Sequence, residues 1–589
     1  MTALSVWAPH AKRVDLVLGG NTFALEPQGN RGAGSAGPQG QRGWWSVDAP
    51  IAHGDDYSFS IDGGAERPDP RSPWQPKGVH GPSRYFDQGE FRWTDDRWRP
   101  PPLRSSVIYE LHVGTFTPEG TFEAASQRLD HLVSLGVSAL ELMPVNEFPG
   151  ERGWGYDGVD LYAPHHTYGG PEGLKQLVDA CHARGLAVIV DVVYNHLGPA
   201  GNHLREFGPY FTDKYKTPWG DAVNFDERGS TDVRGFFIDN ALMWLRDYHC
   251  DGLRVDAAHA MLDLSAVHFL EELTTRVRAL EAEGRGPYWV IAESDLNDPR
   301  LLHSPESGGF GMDAQWNDDF HHALHALLTG ERSGYYADFD SVEQLAIALE
   351  NAYVFSGNYS EFRGRKHGRP ARGLPGSRFL GYLQNHDQVG NRAQGDRTSR
   401  LLSPGLLRVG AALVMTSPFV PLVFMGEEWG ASTPFQYFTD HDDPELGLAV
   451  SEGRRKEFDS FGWAADQVPD PQATESFARS KLDWTELETE PYASMLDWYR
   501  GLIELRRSTP ALLDDGLAAV EVRFDEAARW LVVERGSITI ACNLGTKPVE
   551  LDLAQTRRGS MLMTSAHEPG ADAEVIRLPA ESVTIYSTG

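Results

Sequence analysis

The chain has 589 residues, 11% of them aromatic, and a formal net charge of −31. This length allows a large core and exceeds one ordinary domain, so we expect roughly two to four domains. The negative charge argues against a nucleic-acid groove, which needs clustered lysine and arginine, and favours an acidic surface that keeps the protein dispersed.

Residues 1–90 are predicted to form a small β-sandwich. Short alternating runs, such as Val14–Leu18 and Tyr57–Ile61, are separated by turns rich in glycine, asparagine and proline, which is typical of that fold. The glycine- and glutamine-rich stretch Gln28–Gly43 is predicted to be a mobile loop within it. The proline-rich residues 91–104 are then predicted to be a linker.

From residue 105 to residue 510 the pattern becomes strand, polar loop and helix, repeated. The predicted strands are Val107–Val113, Val137–Val145, Leu186–Val190, Gly252–Asp256, Tyr288–Ala292, Asp313–Trp316 (the weakest), Phe379–Leu383 and Pro421–Met425. Nearly all-apolar runs such as Leu186–Val190 are typical of parallel strands buried on both faces. About eight strands alternating with helices favour a catalytic (β/α)8 TIM barrel. A doubly wound open sheet is the alternative, although no glycine-rich phosphate loop follows any strand.

Residues 515–589 return to short β runs, such as Trp530–Glu534 and Ile538–Cys542, and are predicted to form a C-terminal antiparallel β domain. The predicted fold class is therefore α/β: a TIM barrel between an N-terminal β-sandwich and a C-terminal antiparallel β domain.

Cysteine usage and apolar runs bear on the compartment. The three cysteines, Cys181, Cys250 and Cys542, are widely spaced, so neither a disulfide framework nor a CxxC metal site follows from them. The stretch Met1–His10 lacks the charged and apolar segments of a signal peptide, and no run of about 18 apolar residues occurs. We therefore predict a cytoplasmic protein with no membrane partner and no nucleic-acid partner.

Three carboxylates fall at the predicted carboxyl ends of barrel strands: Asp256, Glu293 and Asp387. Arg254 and Asp256 share one face of their strand, roughly 6.6 Å apart, and a nearby cation favours an ionised carboxylate. Like charges crowded in one cleft raise at least one carboxyl pKa, and a protonated carboxyl beside an ionised one is the pair that glycosidic cleavage needs. Each carboxylate alone is more often a helix cap or a loop charge; the succession of polar motifs at strand ends favours catalysis.

A metal site is the other chemistry that clustered histidine and aspartate can support. No paired-histidine spacing such as HExxH occurs in the chain. We therefore predict neither a metal nor another cofactor.

Four segments, in this order along the chain, resemble the four sequence regions of the α-amylase family: Asp191–His196, Gly252–Asp256, Glu293 and Asn385–Asp387. The resemblance implies that Asp256 is the nucleophile, Glu293 the general acid/base and Asp387 the stabiliser of the transition state.

The same resemblance implies roles for the residues around these carboxylates. Arg254 would orient and ionise Asp256, His196 and His386 would bind the sugar at the cleavage site, and Tyr156 would stack beneath it. Residues 1–90 look like the sandwich module, carbohydrate-binding in type, that precedes branching, debranching and trehalose-forming enzymes of the family.

Longer strings, such as Phe207–Asp213 and Asp313–His322, resemble the trehalose-releasing hydrolases of the family. The implied reaction is hydrolysis, with retained configuration, of the α-1,4 bond beside the terminal trehalose unit of maltooligosyltrehalose. The expected partners are this substrate and related α-glucans, and functional pairing with a trehalose-forming synthase.

Recognition of the trehalose end is assigned to the leaving-group side of the cleft. The predicted substrate-binding residues there, which should follow strands at the same barrel end, are His259, Asp318, Asp319 and His321. Gln388 and Asn391, which follow Asp387, complete the predicted set. For each residue on the leaving-group side the alternative is a loop that only packs the barrel rim.

Two alternative functions stay open from the sequence. A 1,4-α-glucan branching enzyme would use the same residues but transfer the glycosyl group to a sugar hydroxyl instead of water. A non-catalytic glucan-binding protein would rely on the N-terminal sandwich, and the complete set of Asp256, Glu293 and Asp387 speaks against it.

Overall fold

Eight parallel strands close into a barrel at the centre of the computed structural model. The strands are β1 (Ile108–Leu111), β2 (Ala139–Leu142), β3 (Ala187–Val192), β4 (Gly252–Val255), β5 (Trp289–Ala292), β6 (Ala314–Trp316), β7 (Phe379–Tyr382) and β8 (Val420–Phe424). Each pairs with the next along the chain, and β8 closes on β1. The predicted TIM barrel is confirmed, including its weakest strand.

The structure describes residues 2–28, 43–459, 467–552, 559–566, 570–572 and 575–587, so most of the predicted loop at 28–43 lies outside the described residues.

Side chains alternate between the barrel interior and the surrounding helices, as strand geometry requires. Apolar residues near the amino ends of the strands, such as Ile108 and Ile189, form a separate cluster inside the barrel. Glu110 and Asp191 lie two residues further along the same strands and therefore share this interior face. The interior is thus apolar towards the amino ends of the strands and polar towards their carboxyl ends.

Helices follow the strands and cover the barrel. Their bounds are Val113–Phe116, Phe122–Ser126, Leu129–Leu135, Gly170–His182, Leu204–Phe207, Ser230–Arg246, Phe269–Glu281, Asp318–Thr329, Val342–Asn351, His386–Gly390, Thr398–Leu401, Pro404–Thr416, Pro444–Asp459, Thr474–Ser480, Tyr492–Ser508 and Pro510–Leu513. Local sequence sets several ends: Thr121 accepts a hydrogen bond from the backbone N–H of Ala124 at one N-terminus. Gly136, in the left-handed region at φ 97°, ends the following helix.

The N-terminal residues form two antiparallel sheets. One contains Thr2–Trp7, Trp44–Ala49 and Glu26–Pro27, and the other contains Asn21–Ala24, Val14–Leu18, Asp56–Ile61, Glu66–Arg67 and Ser83–Arg84. Buried side chains of both sheets, such as Val6 and Leu16, belong to the main core cluster. The sheets also contact barrel helices: Trp44 Nε1 donates to Asp232 Oδ1 at 3.0 Å.

The C-terminal residues form two further antiparallel sheets, as predicted. The larger contains Val520–Asp525, Trp530–Arg535, Ile538–Asn543, Ser582–Ser587 and Met561–Thr564, and the smaller contains Val549–Asp552, Val575–Leu578 and Gly570–Asp572. Three short two-stranded sheets lie in barrel loops: Asn146–Glu147 with Asp160–Pro164, Phe211–Thr217 with Gly220–Val223, and Tyr359–Ser360 with Arg365–Lys366.

The segment predicted as a linker, 91–104, packs against the amino end of the barrel. Trp98 and Leu103 contact the apolar cluster inside the barrel, and Trp98 Nε1 donates to Asp251 Oδ1 at 2.8 Å. The Trp98 ring also stacks on His182 at a centroid distance of 4.7 Å. These contacts fix the segment to the barrel along its length; the domain boundaries at 90, 104, 510 and 515 stay predictions.

His182 lies between two buried carboxylates in this region. Its Nδ1 is 2.8 Å from Asp95 Oδ2, and its Nε2 is 3.0 Å from Asp251 Oδ2. Burial lowers the pKa of His182, but hydrogen bonds to Asp251 and Asp95 outweigh it and leave the pKa above its ordinary value. Both ring nitrogens therefore act as donors.

Replacing His182 by glutamine is expected to lower the free energy of unfolding by about 3–5 kcal/mol near pH 6, because it leaves the buried Asp251 without its cation and Asp95 with Arg285 and His249 as its remaining partners. A histidine whose folded pKa is raised stabilises fully below its unfolded pKa of about 6.5, and this contribution is lost as the pH rises through the folded value. The loss should therefore be smaller at about pH 9 in urea unfolding. The exposed His10→Gln is the control, and an equal loss at both pH values would contradict the charge assignment.

The three cysteines are buried and unpaired. None of the helices in the described residues has both the length and the apolar character needed to cross a membrane.

Candidate active site

The carboxyl end of the barrel gathers the predicted catalytic carboxylates. Asp256 and Glu293 directly follow β4 and β5, and Asp387 lies in the short helix His386–Gly390 after β7. The side chains of Asp256, Glu293 and Asp387 are 13%, 16% and 42% exposed, so each can reach a ligand in the cleft. Because parallel strands end on the same side of a barrel, this edge is where such side chains converge.

Arg254, fully buried in β4, is the positive centre of the site. Its Nη1 donates to Asp191 Oδ2 at 2.7 Å and to Asp256 Oδ1 at 2.8 Å. Its Nη2 lies 3.8 Å from Glu293 Oε2. Asp256 lies beside Arg254, as the strand spacing predicts, and Glu293 lies near the other terminal nitrogen of the same guanidinium.

The surroundings of Glu293 favour its protonated form. Burial raises its pKa well above the ordinary value, and the charges of Asp256, Asp318 and Asp387 add to this against the opposing charge of Arg254. Its Oε2 accepts a hydrogen bond of 2.6 Å from the backbone N–H of Ala257, which leaves Oε1 to carry the proton. A neutral carboxylic acid beside a carboxylate is the arrangement that acid-assisted cleavage requires.

Ala257 provides that N–H from a strained backbone. Its φ is 38° and its ψ 50°, in the left-handed region that alanine rarely adopts. The adjacent Ala258 N–H donates to the Glu293 carbonyl at 2.9 Å. Strain of this kind costs of order 1–3 kcal/mol and clusters at functional sites. Here it turns the chain immediately after Asp256 towards Glu293.

Asp191 and Tyr156 form the floor of the site. The Tyr156 hydroxyl donates to Asp191 Oδ2 at 2.6 Å, and its ring stacks on His386 at a centroid distance of 5.2 Å. Burial raises the pKa of Asp191 to about 6, against the lowering effect of Arg254. Sequence reasoning placed Asp191 near the site without a role; its contacts make it the second carboxylate of Arg254.

His196 and Trp219 form one wall of the cleft. Their rings stack at a centroid distance of 4.5 Å with an interplanar angle of 8°. Burial lowers the pKa of His196, so the ring is neutral. Trp219 is 48% exposed at the tip of a barrel-loop hairpin. Sequence reasoning missed Trp219, whose only signal is a lone tryptophan between polar residues, Thr217-Pro-Trp-Gly-Asp221.

At other loops of this edge of the barrel, Asp318 is partly exposed and His259 is exposed. Asp318 Oδ1 accepts a hydrogen bond of 2.5 Å from the Tyr382 hydroxyl, and burial raises its pKa to about 7 against that hydrogen bond. The exposed His259 lines a cavity of about 310 Å³ that begins at Ala258 and Ser294, next to Asp256 and Glu293. Other polar residues that line this cavity are Asp263, His268, Asp298 and Arg300.

Two predicted substrate-binding residues do not face the cleft. Asp319 Oδ2 accepts hydrogen bonds from Asn297 Nδ2 and from the backbone N–H groups of Val354 and Phe355, each at 2.8 Å. His321 is 0% exposed and lies 3.0 Å from the Tyr336 hydroxyl. Both point into the protein because the helix Asp318–Thr329 buries that face, so we exclude them from the candidate site.

The residues after Asp387 have mixed roles. Gln388 Oε1 accepts a hydrogen bond from the backbone N–H of Asn385, which makes it part of a helix cap instead of a free ligand. Asn391 is exposed, and its Nδ2 donates to Asp387 Oδ1 at 3.3 Å. Asn391 therefore stays a candidate, through Asp387, whereas the Oε1 of Gln388 is occupied by the cap.

Among the described residues, the side chains of Glu147, His165 and His166 bring three possible metal-ligand atoms within 4.8 Å of one another. Glu147 Oε2 accepts the backbone N–H of His166 at 2.8 Å, and Glu147 Oε1 is 2.7 Å from His166 Nδ1. The backbone N–H of Thr167 donates to His165 Nδ1, which places the proton of the neutral ring on the nitrogen facing the group. Hydrogen bonds account for Glu147 and His166, while His165 Nε2 lies 3.8 Å from Glu147 Oε1 without a hydrogen bond; we assign no cation to the cluster.

Comparison with known proteins gives matches over the whole chain. The family described as "Alpha amylase, catalytic domain" matches residues 83–217, and "Domain of unknown function (DUF3459)" matches residues 515–585. A malto-oligosyltrehalose trehalohydrolase from Rhizobium sp. (strain M-11) is 48% identical over 98% of this chain and 96% of its own length. The enzyme of the same name from Arthrobacter ramosus is 49% identical over 97% of this chain and 99% of its own length.

Among solved structures, the crystal structure of a putative alpha amylase from Salmonella typhimurium is similar, with a TM-score of 0.89 and 37% identity. The match covers 100% of this chain and 97% of that one. A 1,4-alpha-glucan branching enzyme from Corynebacterium jeikeium is 30% identical over 73% of this chain and 61% of its own length. The match to trehalohydrolases is closer and more extensive, so the branching alternative is less supported.

Proposed function

This chain belongs to the malto-oligosyltrehalose trehalohydrolase family of glycoside hydrolases, and we propose that it releases trehalose from maltooligosyltrehalose. The bond cleaved is the α-1,4 bond beside the terminal trehalose unit. One observation carries the chemistry: the neutral acid Glu293 and the carboxylate Asp256 meet at the Arg254 guanidinium.

In the first step, Glu293 protonates the glycosidic oxygen while an Asp256 oxygen attacks the anomeric carbon. The bond between that carbon and the glycosidic oxygen breaks, and trehalose leaves with the proton. The shortened maltooligosaccharide is then bound to Asp256 as a glycosyl ester. Asp387 accepts hydrogen bonds from sugar hydroxyls that strengthen as positive charge develops on the ring.

In the second step, the Glu293 carboxylate takes a proton from water, and the resulting oxygen nucleophile attacks the anomeric carbon. The ester bond to Asp256 breaks and the acid form of Glu293 is restored. Two displacements on one carbon retain its configuration, which is the outcome for a carboxyl pair about 5–5.5 Å apart.

The leaving-group side offers a place for the trehalose unit. His259 lines a cavity of about 310 Å³ whose lining includes both charged and apolar residues, and Asp318 is close enough for its charge to raise the pKa of Glu293. A site that hydrogen-bonds specific hydroxyls rejects analogues that leave its buried polar groups unpaired. We assign recognition of the α,α-1,1-linked end to Asp318 and His259 on this basis.

The substrate implies a partner reaction. An enzyme that isomerises the reducing end of an α-glucan to an α,α-1,1 linkage must supply it, so we propose functional pairing with such a synthase. The three buried free cysteines support a reducing compartment, and we propose the cytoplasm.

Incubation with maltooligosyltrehalose, followed by anomer-resolved NMR, tests the function. The expected products are free trehalose and a maltooligosaccharide whose new reducing end is initially α. New α-1,6 branch signals without trehalose would instead support the branching enzyme. Initial formation of the β anomer would contradict the double displacement.

Asp318→Asn is expected to weaken selection of the trehalose end. The amide replaces one acceptor oxygen of the carboxylate by an N–H₂ donor, which should raise KM for maltooligosyltrehalose about 5- to 100-fold. Hydrolysis of a maltooligosaccharide of equal length, which lacks that end, is the internal control and should change much less. An equal loss on both substrates would mean that Asp318 supports the site as a whole and does not read the trehalose unit.

A further inference from the structure

Glu110 lies on the interior face of β1, and both of its carboxylate oxygens accept hydrogen bonds from one residue, His386. Its Oε1 accepts a hydrogen bond from His386 Nδ1, and its Oε2 accepts the backbone N–H of His386 at 3.1 Å. Glu110 and His386 are each 1% exposed. A carboxylate so deeply buried requires a compensating charge or hydrogen bonds, and His386 supplies both of its partners.

The other nitrogen of His386 also faces an acceptor. His386 Nε2 is 2.8 Å from the Tyr156 hydroxyl oxygen and 3.5 Å from Asp387 Oδ1. The single hydroxyl proton of Tyr156 is directed to Asp191, so the oxygen of Tyr156 accepts a hydrogen bond from His386 Nε2–H. With acceptors at both nitrogens, the ring is a doubly protonated imidazolium.

Charged groups on several elements face this ring. Burial lowers the pKa of His386, but Glu110 on β1 and Asp387 beside it outweigh burial and the charge of Arg254 on β4, so the pKa lies above its ordinary value. His112, at the end of β1, is also close enough for the charge of His386 to lower the His112 pKa, and burial is the larger cause of that shift. The carboxylate of Glu110 is thus the contact that opposes loss of the second proton.

We propose that Glu110 is a positioning residue that holds His386 as a cationic donor to a hydroxyl of the sugar at the cleavage site. Glu110 touches no substrate and acts through His386. In the free protein Nε2–H lies between the Tyr156 oxygen and Asp387, and on sugar binding it is shared with the hydroxyl next to Asp387; a charge-assisted hydrogen bond of this kind is roughly twice as strong as a neutral one. The identity of the sugar rests on the proposed function. The charge of the His386 ring rests on the geometry of its contacts and does not depend on that function.

Glu141 provides a matched control in the same barrel layer. It lies on β2, in register with Glu110, and is also 1% exposed. Burial, with the charge of Glu110, raises the pKa of Glu141 well above its ordinary value, and its Oε2 has no hydrogen-bond partner within the described chain. Glu141 is therefore neutral, and Glu141→Gln changes neither charge nor, to any large extent, shape.

The test compares kcat and KM between pH 5 and pH 9 for the wild type, Glu110→Gln, Glu110→Asp and Glu141→Gln. In Glu110→Gln the amide oxygen still accepts the Nδ1–H bond but carries no charge, so His386 loses its second proton at lower pH. We expect kcat near neutral pH to fall about 10- to 100-fold, with partial recovery at acid pH. Glu110→Asp keeps the charge and should keep the wild-type profile at reduced height. Glu141→Gln should match the wild type within about twofold.

A Glu110→Gln profile of wild-type shape and reduced height would overturn the proposal, as would an equal acid shift in Glu141→Gln.

If Glu110→Gln fails to fold, NMR of the wild-type protein measures the charge of His386 directly. In wild-type protein with ¹³C-labelled histidine rings, the His386 signal is assigned by its loss in His386→Gln. An imidazolium shift that persists above about pH 7 supports the proposal, and a neutral ring at that pH overturns it. This measurement needs no substrate, so its outcome is independent of whether trehalose is released.

Discussion

Glu293→Gln is expected to lower kcat on maltooligosyltrehalose by about 10²- to 10⁴-fold, because the amide cannot protonate the leaving glycosidic oxygen. Glutamine is nearly isosteric with the neutral acid that Glu293 forms in the folded protein, so the melting temperature should change little. Steady-state kinetics and thermal unfolding, measured on the same preparation, check both parts of this expectation.

A fluoride leaving group separates the roles of Glu293 and Asp256. Fluoride departs without protonation, so Glu293→Gln should still release a burst of fluoride from an α-maltotriosyl fluoride. Asp256→Asn, which lacks the nucleophile, should give no burst. If Glu293→Gln lost hydrolysis of maltooligosyltrehalose and release of fluoride equally, the role of Glu293 would be structural and the acid/base assignment would be wrong.

Arg254→Met is expected to lower the free energy of unfolding by about 3–5 kcal/mol at pH 8 and to abolish turnover, since it removes the cation shared by Asp191 and Asp256. Without that cation, the pKa of Asp191, already about 6 in the wild type, rises further. A carboxyl whose folded pKa is raised destabilises the folded protein increasingly as the pH rises from its unfolded value of about 3.9 through the folded value. The loss of stability should therefore be smaller at pH 5 than at pH 8.

Urea unfolding at both pH values measures this difference. Arg372→Met, at an exposed arginine, is the control and should change stability by no more than about 0.5 kcal/mol. A loss of equal size at pH 5 and pH 8 would show that Arg254 contributes through packing and not through its charge.

The barrel could be predicted from the sequence because parallel strands buried on both faces leave long apolar runs, such as Leu186–Val190. The positions of Asp256 and Glu293 followed from the same pattern, since the carboxyl ends of such strands meet at one edge. Even the three-residue strand Ala314–Trp316 lies within a predicted strand, Asp313–Trp316, which was the weakest of the eight.

The orientation of rim residues could not be predicted in the same way. Asp318 and Asp319 are neighbours in the sequence, yet one faces the cleft and the other accepts three hydrogen bonds inside the protein. Which of the two turns inward depends on the packing of Val354 and Phe355, which lie more than 30 residues away. His321 was assigned to the cleft for the same reason and is buried by the same helix.

Glu110 was missed although it has a sequence signal. It is the single charged residue in the strand Ile108–Leu111, and a charge in a strand buried on both faces requires a partner. The partner, His386, is 276 residues further along the chain. The two residues meet only because β8 pairs with both β7 and β1 and so closes the barrel. No local sequence pattern indicates this contact.

The contacts of residues 91–104 have a consequence for the N-terminal sandwich. A glucan-binding module on a flexible tether raises the local concentration of substrate by sampling a volume set by its tether length. Here Trp98 and Leu103 contact the apolar cluster inside the barrel, and the sandwich itself contacts a barrel helix through Trp44. The sandwich therefore cannot search for glucan independently of the catalytic cleft, and any sugar that it binds is held at one fixed distance and angle from Asp256.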